Sequence, residues 1–245
     1  CNYLNNTLKK ESKTIIIAYD NRRNSKFFSD EVAKVFSANN FNVLIFDDVR
    51  PTPLLSFSIR HFNADGGIMI TASHNPAEYN GYKVYNSFGG QIVPPDDKKI
   101  SDSIKKLSFK EIKWDNKKTK VKIIDENFDN LYFKKIISNS VLEKKNRKNL
   151  KIVYSSLHGT GIKSVPELLK KAGYNEINLV ENQCFIDENF LNTNSSNPED
   201  KSAFNETINL ADKINGEIII TTDPDADRLG VGVRDFKKNW DVVKW

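Results

Sequence analysis

An α/β fold in two successive domains is what the sequence predicts, and three observations carry that prediction. Short apolar, β-branched runs suited to buried strands alternate with segments whose apolar residues recur at helical spacing. The alternation breaks in a lysine-rich middle stretch and restarts near Leu150, which favours two domains of one layer type over a single continuous core. A length of 245 residues, 38% of them hydrophobic and 11% aromatic, is enough for two cores of ordinary size.

Asn2-Tyr3-Leu4 running into Leu8 reads as the end of an amphipathic helix. Thr14–Ala18 is the first strand, stopped by the loop Asp20-Asn21-Arg22. Ser25 is a candidate N-cap for the next helix, with Phe28, Val32, Val35 and Phe36 on one face. Val43–Phe46 is a second strand. Thr52 can cap the helix after it and Pro53 can fill its first turn, with Leu55, Ile59 and Phe62 turned inward. Gly67–Thr71 is a third strand and Lys83-Val84-Tyr85 a short fourth. Pro94-Pro95-Asp96 opens a helix through Ile100, Ile104 and Leu107, and residues 127–145 form another, anchored by Leu131, Ile137, Val141 and Leu142. The second domain begins with the strand Leu150–Tyr154 and the tight turn Ser156–Gly161. A helix marked by Val165, Leu168 and Leu169 follows, then the strand Ile177–Val180. A further helix starts at Asn197–Asp200, and Glu217–Thr221 is the last strong strand.

Composition excludes several classes. No run approaches 18 apolar residues, so no membrane span is expected. Cys1 and Cys184 have no companions at metal-ligand spacing, which argues against a disulfide framework and makes a reducing, cytoplasmic setting the expectation. Residues 98–151 carry 17 basic and 7 acidic side chains and account for the whole positive excess of the chain. Those bases are nearly all lysines, with few aromatics or arginines among them, which suits a solvated helical face better than a nucleic-acid surface.

Two strand-end loops carry the chemistry. Thr222-Asp223-Pro224-Asp225-Ala226-Asp227-Arg228 sets three alternating carboxylates after a strongly apolar strand, and Pro224 stops that strand from continuing. Alternating side chains in a curved loop can converge, and three close carboxylates repel unless a cation or proton offsets them. Magnesium, a hard cation that takes oxygen ligands, is the natural partner. A calcium loop would need glycine and glutamate at its sixth and twelfth positions, where Arg228 and Arg234 stand. The plain alternative is a solvated acidic turn. The other loop is Thr71-Ala72-Ser73-His74-Asn75-Pro76, where Ser73 can be a nucleophile or phosphate carrier and His74 can exchange protons or hold an oxyanion. Lys83, after Asn80-Gly81-Tyr82, can contact a phosphate or act on a sugar hydroxyl. Ser73 lacks the flanking glycines of a hydrolase elbow, and Gly159-Thr160-Gly161 lacks the Lys-Ser/Thr of a P-loop.

These segments, with Ala18–Arg22, Ser25 and Leu157-His158-Gly159, resemble the α-D-phosphohexomutase superfamily, in the family's order across nearly the whole chain. The wording from Thr71 to Tyr85 is most similar to the bacterial phosphoglucomutase and phosphopentomutase branch. The resemblance implies two consecutive mixed-sheet α/β domains: residues 1–145, without the opening strand, bearing the phosphoserine loop, and residues 146–237 bearing the magnesium loop. Residues 238–245 would start a third domain, and the family's third and fourth domains would be lacking. It also implies that Ser73 carries the phosphoryl group and that Asp223, Asp225 and Asp227 hold Mg2+ together with an oxygen of phosphorylated Ser73. Arg22 and Arg228 would lie near the reacting phosphate, Lys83 would be the candidate general base, and His74 would take acid–base or phosphate contacts. The implied reaction moves phosphate between positions 1 and 6 of a hexose, or 1 and 5 of a pentose, through a bisphosphorylated sugar. The substrate partner is thus a phosphosugar, with neither nucleic acid nor membrane involved, and this segment alone is expected to turn over little. Alternatives are a phosphomannomutase or sugar-bisphosphate synthase of the same superfamily and, from a different class, a non-enzymatic interaction module.

Overall fold

The computed structural model describes residues 1–115, 117, 120–141, 147–235 and 237–244. The expected domain boundary at 145/146 and the anchor Leu142 lie outside them. Among the described residues, the helices are α1 (Asn2–Thr7), α2 (Ser25–Ala38), α3 (Thr52–His61), α4 (Asp96–Lys105), α5 (Asp129–Ser138), α6 (Val165–Lys171) and α7 (Asn205–Ile214). The strands are β1 (Lys13–Tyr19), β2 (Phe41–Phe46), β3 (Gly66–Ile70), β4 (Tyr82–Asn86), β5 (Val121–Ile124), β6 (Ile152–Ser155), β7 (Ile177–Leu179), β8 (Ile218–Thr222), β9 (Leu229–Arg234) and β10 (Trp240–Lys244).

The strands make two mixed sheets. The first has the order β4-β3-β1-β2-β5, parallel except for β4. The second has the order β10-β9-β8-β6-β7, with β9 and β10 antiparallel. β1 is buried from Ile15 to Tyr19 because helices cover both faces of its sheet. Ile15, Ile17 and Tyr19 share a cluster with Ala33 and Phe36 of α2, while Ile16 and Ala18 share one with Leu54, Leu55 and Ile59 of α3. In the second domain, Val153 and Ile219 pack with Phe204 and with Ala211 of α7.

Several sequence expectations shift on the structure. The inward face of α2 keeps the expected Phe36 but is otherwise Ser25, Ser29, Ala33 and Ser37, small residues that let the helix approach the sheet, and Phe28 is exposed. Phe133, not Leu131 or Val141, anchors α5 in the core. β5 and β9 are strands that the sequence pattern does not predict. Trp240–Lys244, expected to open a third domain, pairs with β9 as the edge strand of the second sheet.

The strand orders position the site. In the first sheet the chain passes from β1 to β2 on one side and returns to β3 on the other, so the loops after β1 and β3 leave side by side. The Asp20 amide donates to Ile70 O at 3.0 Å. In the second sheet β7 and β8 flank β6 in the same way, and the Thr160 amide donates to Pro224 O at 2.8 Å. Such reversals create a crevice at the carboxyl ends of strands, the usual ligand position in open α/β sheets. Here two of them face each other.

Candidate active site

The loop after β3 turns at Ser73, whose φ of 54° is a left-handed conformation rare for a side chain bearing a Cβ. The Ser73 amide donates to Thr71 Oγ1 at 2.8 Å, which fixes the turn. Arg22 fastens the loop from below. Its Nη1 donates to Pro76 O and Tyr79 O, and its Nη2 to Ser73 O and Asn75 O, all between 2.6 and 2.9 Å. Its Nε stands 3.2 Å from Asp20 Oδ2, both side chains wholly buried, at ion-pair distance without hydrogen-bond alignment. Asp20 also accepts from Ser25 Oγ at 2.7 Å and from the Arg22 amide at 3.0 Å. Burial nevertheless pushes its carboxyl up to about 6. Ser25, expected as a helix cap, spends its hydroxyl on this network, and Asn24 holds the cap position instead.

From the other domain, the loop after β8 comes to meet Ser73. Ser73 Oγ donates to Asp223 Oδ2 at 3.0 Å. Candidate ligand atoms of Asp223, Asp225 and Asp227 lie within 4.8 Å of one another. Asp223 and Asp225 are fully buried. Desolvation, and then the neighbouring Asp225 and Asp227, hold the Asp223 carboxyl well above the usual carboxylate range. Asp225 Oδ1 is buried with no hydrogen-bond partner, while its Oδ2 accepts from Thr52 Oγ1 and from Lys83 Nζ, both at 2.8 Å. An all-oxygen set with crowded negative charge and an unpartnered buried oxygen fits a hard divalent cation.

Lys83, on β4, also reaches Asp227 Oδ2 at 3.1 Å. Burial opposes its charge, but Asp225 and Asp227 outweigh it and keep the ammonium above the ordinary lysine range. His74 Nδ1 is 3.4 Å from Ser73 Oγ, and burial followed by the nearby Arg228 lowers its pKa. Arg228 is half-exposed: its amide donates to Asp223 Oδ1 at 3.1 Å and its guanidinium to Glu199 at 3.0 Å. The site residues named from sequence thus meet in one crevice, with Arg22 beneath it.

Residues 1–111 match the family described as phosphoglucomutase/phosphomannomutase, alpha/beta/alpha domain I, and residues 130–237 match its domain II. The chain belongs to this family. It is 40% identical over 237 residues to a phosphoglucomutase of Staphylococcus aureus (strain MRSA252), covering 95% of this chain and 42% of that protein. The chain therefore spans less than half the length of the curated relatives it matches. A solved structure from Thermus thermophilus superposes over 94% of this chain and 51% of its own with a TM-score of 0.79 at 23% identity. A phosphoglucomutase/phosphomannomutase family protein from Burkholderia thailandensis does so over 94% and 48%, with a TM-score of 0.74 at 20% identity. Both likenesses concern the fold.

Within this phosphoglucomutase/phosphomannomutase frame, the structure adds residues that sequence reasoning missed. Thr52 was expected to cap α3, yet Pro51 takes that position and the Thr52 hydroxyl crosses to Asp225. Thr160 donates through both amide and hydroxyl to Pro224 O. Asn21 Nδ2 bridges the domains, donating to His158 O at 3.0 Å and Asp187 O at 2.8 Å. Ser196 Oγ donates to His74 O at 2.8 Å. Asn21 and Thr160 lie inside loops singled out from the sequence, while Thr52 and Ser196 lie at or beside expected helix starts, and none of the four gave a signal of these contacts.

Proposed function

We propose that this chain is the phosphoryl-carrying part of a magnesium-dependent phosphosugar mutase of the phosphoglucomutase/phosphopentomutase type. The observation that supports this reading most is the 3.0 Å contact between Ser73 Oγ of one domain and Asp223 of the other, inside the three-carboxylate cluster. Asp223, Asp225, Asp227 and an oxygen of phosphorylated Ser73 would hold the cation. When bound, it supplies Lewis-acid stabilisation of charge on the transferring phosphoryl group. In the forward half-reaction the Ser73 Oγ–P bond breaks as a bond forms between phosphorus and a sugar hydroxyl. As candidate base, Lys83 can take the hydroxyl proton only after its ammonium, held protonated here by Asp225 and Asp227, is released from them and gives up its own proton, with His74 exchanging protons or holding phosphate oxygens. Arg228 stabilises the phosphate, and Arg22 acts from beneath by fixing the carbonyls of the Ser73 loop. The bisphosphorylated sugar then turns and returns its other phosphoryl group to Ser73.

Hexose 1- and 6-phosphates or pentose 1- and 5-phosphates are the substrates of this reading. A phosphomannomutase or a sugar-bisphosphate synthase would use the same serine and differ in sugar or donor. Free Cys1 and Cys184 suit a reducing cytoplasm, and among the described residues no helix is long and apolar enough to cross a membrane. The test is intact mass and phosphopeptide mapping of the full-length protein, with Ser73→Ala assayed on glucose, mannose, ribose and deoxyribose phosphates. One phosphoryl group on Ser73 and a loss of about 10³-fold or more in Ser73→Ala are expected. A fully active Ser73→Ala, or a phosphoryl group carried elsewhere, sinks the assignment.

A further inference from the structure

We infer that Thr52 is a positioning residue of the cation site, a clamp from the serine-bearing domain that selects which oxygen of Asp225 is offered to the metal. The inference rests on the cation reading above. Thr52 is buried at the start of α3 and holds Asp225 twice: its amide donates to Asp225 O at 2.8 Å and its hydroxyl to Asp225 Oδ2 at 2.8 Å. A carboxylate with one oxygen tied in this way can no longer swap its two oxygens by rotating about the Cβ–Cγ bond. The oxygen left over, Oδ1, is buried and without a partner, in a side chain that is 0% exposed. Burying such an atom unpaired is costly unless something is to occupy it. The clamp therefore removes, before binding, the rotational freedom that a ligating carboxylate would otherwise lose on binding.

The arrangement also links the two domains. Thr160 holds the adjacent Pro224 O from inside the second domain, whereas Thr52 reaches Asp225 from the first. Correct ligand geometry then depends on the domains being closed. Lys83 Nζ shares Asp225 Oδ2 with Thr52, but its ammonium also reaches Asp227, so it restrains two carboxylates loosely where Thr52 restrains one firmly. Partners of this kind, which orient a ligand without touching the metal, typically change affinity 10–100-fold when removed.

The test uses Mn2+ as a paramagnetic stand-in, titrated into the full-length protein and followed by electron paramagnetic resonance. Thr52→Val keeps the branched shape and the backbone amide but loses the hydroxyl. A rise in Kd of about tenfold is expected. Thr52→Ala serves as the second hydroxyl deletion should valine perturb the start of α3, with the same weakening expected. Thr52→Ser should restore Kd to near the starting value. At saturating Mg2+ the activity of Thr52→Val should recover, which loss by misfolding would not do. Two outcomes overturn the inference while leaving the cation site standing: hydroxyl-free variants that bind Mn2+ like the parent, or a serine variant as weak as the valine one. Asp225→Asn separates the two readings. If it too binds Mn2+ unchanged, the cation site itself is misassigned.

Discussion

Asp20 and Arg22 form a buried pair whose members do different work. Arg22 spends its guanidinium on four carbonyls of the Ser73 loop, a fork geometry that lysine, with one point of donation, cannot reproduce. Asp20 offsets that charge, and burial raises its carboxyl to about 6. The consequence for stability follows from proton linkage. Because the folded-state pKa lies above the unfolded value, the folded protein takes up a proton below about pH 6 that the unfolded chain does not bind until about pH 4. Acidification through that window should therefore add stability at this residue, the reverse of the usual behaviour of a salt-bridged carboxylate. Urea unfolding of the parent and of Asp20→Asn at pH 7 and pH 5 isolates the effect. The parent should gain about 1 kcal/mol relative to the variant on going to pH 5. A constant difference, or a relative loss by the parent, rules out the raised pKa.

At the scale of elements, the β–α alternation was legible where a strand is covered on two faces and so reads as an apolar run, as in β1. Ile15, Ile16 and Ile17 are all buried, on alternating sides. Two strands were not legible: β5, whose Ile123 is 63% exposed and which gains its order from β2, distant in sequence, and β9, whose apolar run is broken by Gly230 and Gly232. The serine and aspartate loops were legible as motifs. Thr52 and Ser25 were misread as helix caps because the residue types that cap a helix are also those that hydrogen-bond a carboxylate, and local sequence cannot choose between the two uses. Gly159 shows how closely the two loops of the second domain are fitted. A Cβ there would sit 2.6 Å from Pro224 O, and the opposing atoms are backbone that cannot rotate away. Gly159→Ala is expected to cost about 1–3 kcal/mol in unfolding free energy. It should also weaken Mn2+ binding, because the displaced segment carries Asp223 and Asp225. Normal binding in a destabilised variant would mean that the aspartate loop holds its shape without support from Gly159.

For the whole molecule, the central question is how far two independently cored sheets behave as one. Their cores are separate, and they are joined by polar contacts around the crevice: Ser73 with Asp223, Thr52 and Lys83 with Asp225, Asn21 with His158 and Asp187, Ser196 with His74, and Lys163 with Asp48. Joints of this composition rank with transient interfaces, so the domains are expected to move relative to each other unless something draws the crevice shut. A cation held by the aspartates and Ser73 would do so, since its ligands come from both sides. Binding confined to the folded state adds about 2.7 kcal/mol at a hundredfold excess over Kd, less whatever is lost when Lys83 releases Asp225 and Asp227. Mg2+ should therefore raise the Tm of the full-length protein by several degrees over an EDTA-treated sample, and Asp225→Asn should abolish the rise. Hydrogen exchange distinguishes a joint effect from a local one. Protection should increase both at β3, which carries the serine loop, and at β8, which carries the aspartate loop. Protection confined to β8 would show that the cation serves the second domain alone and that closure of the crevice has another cause.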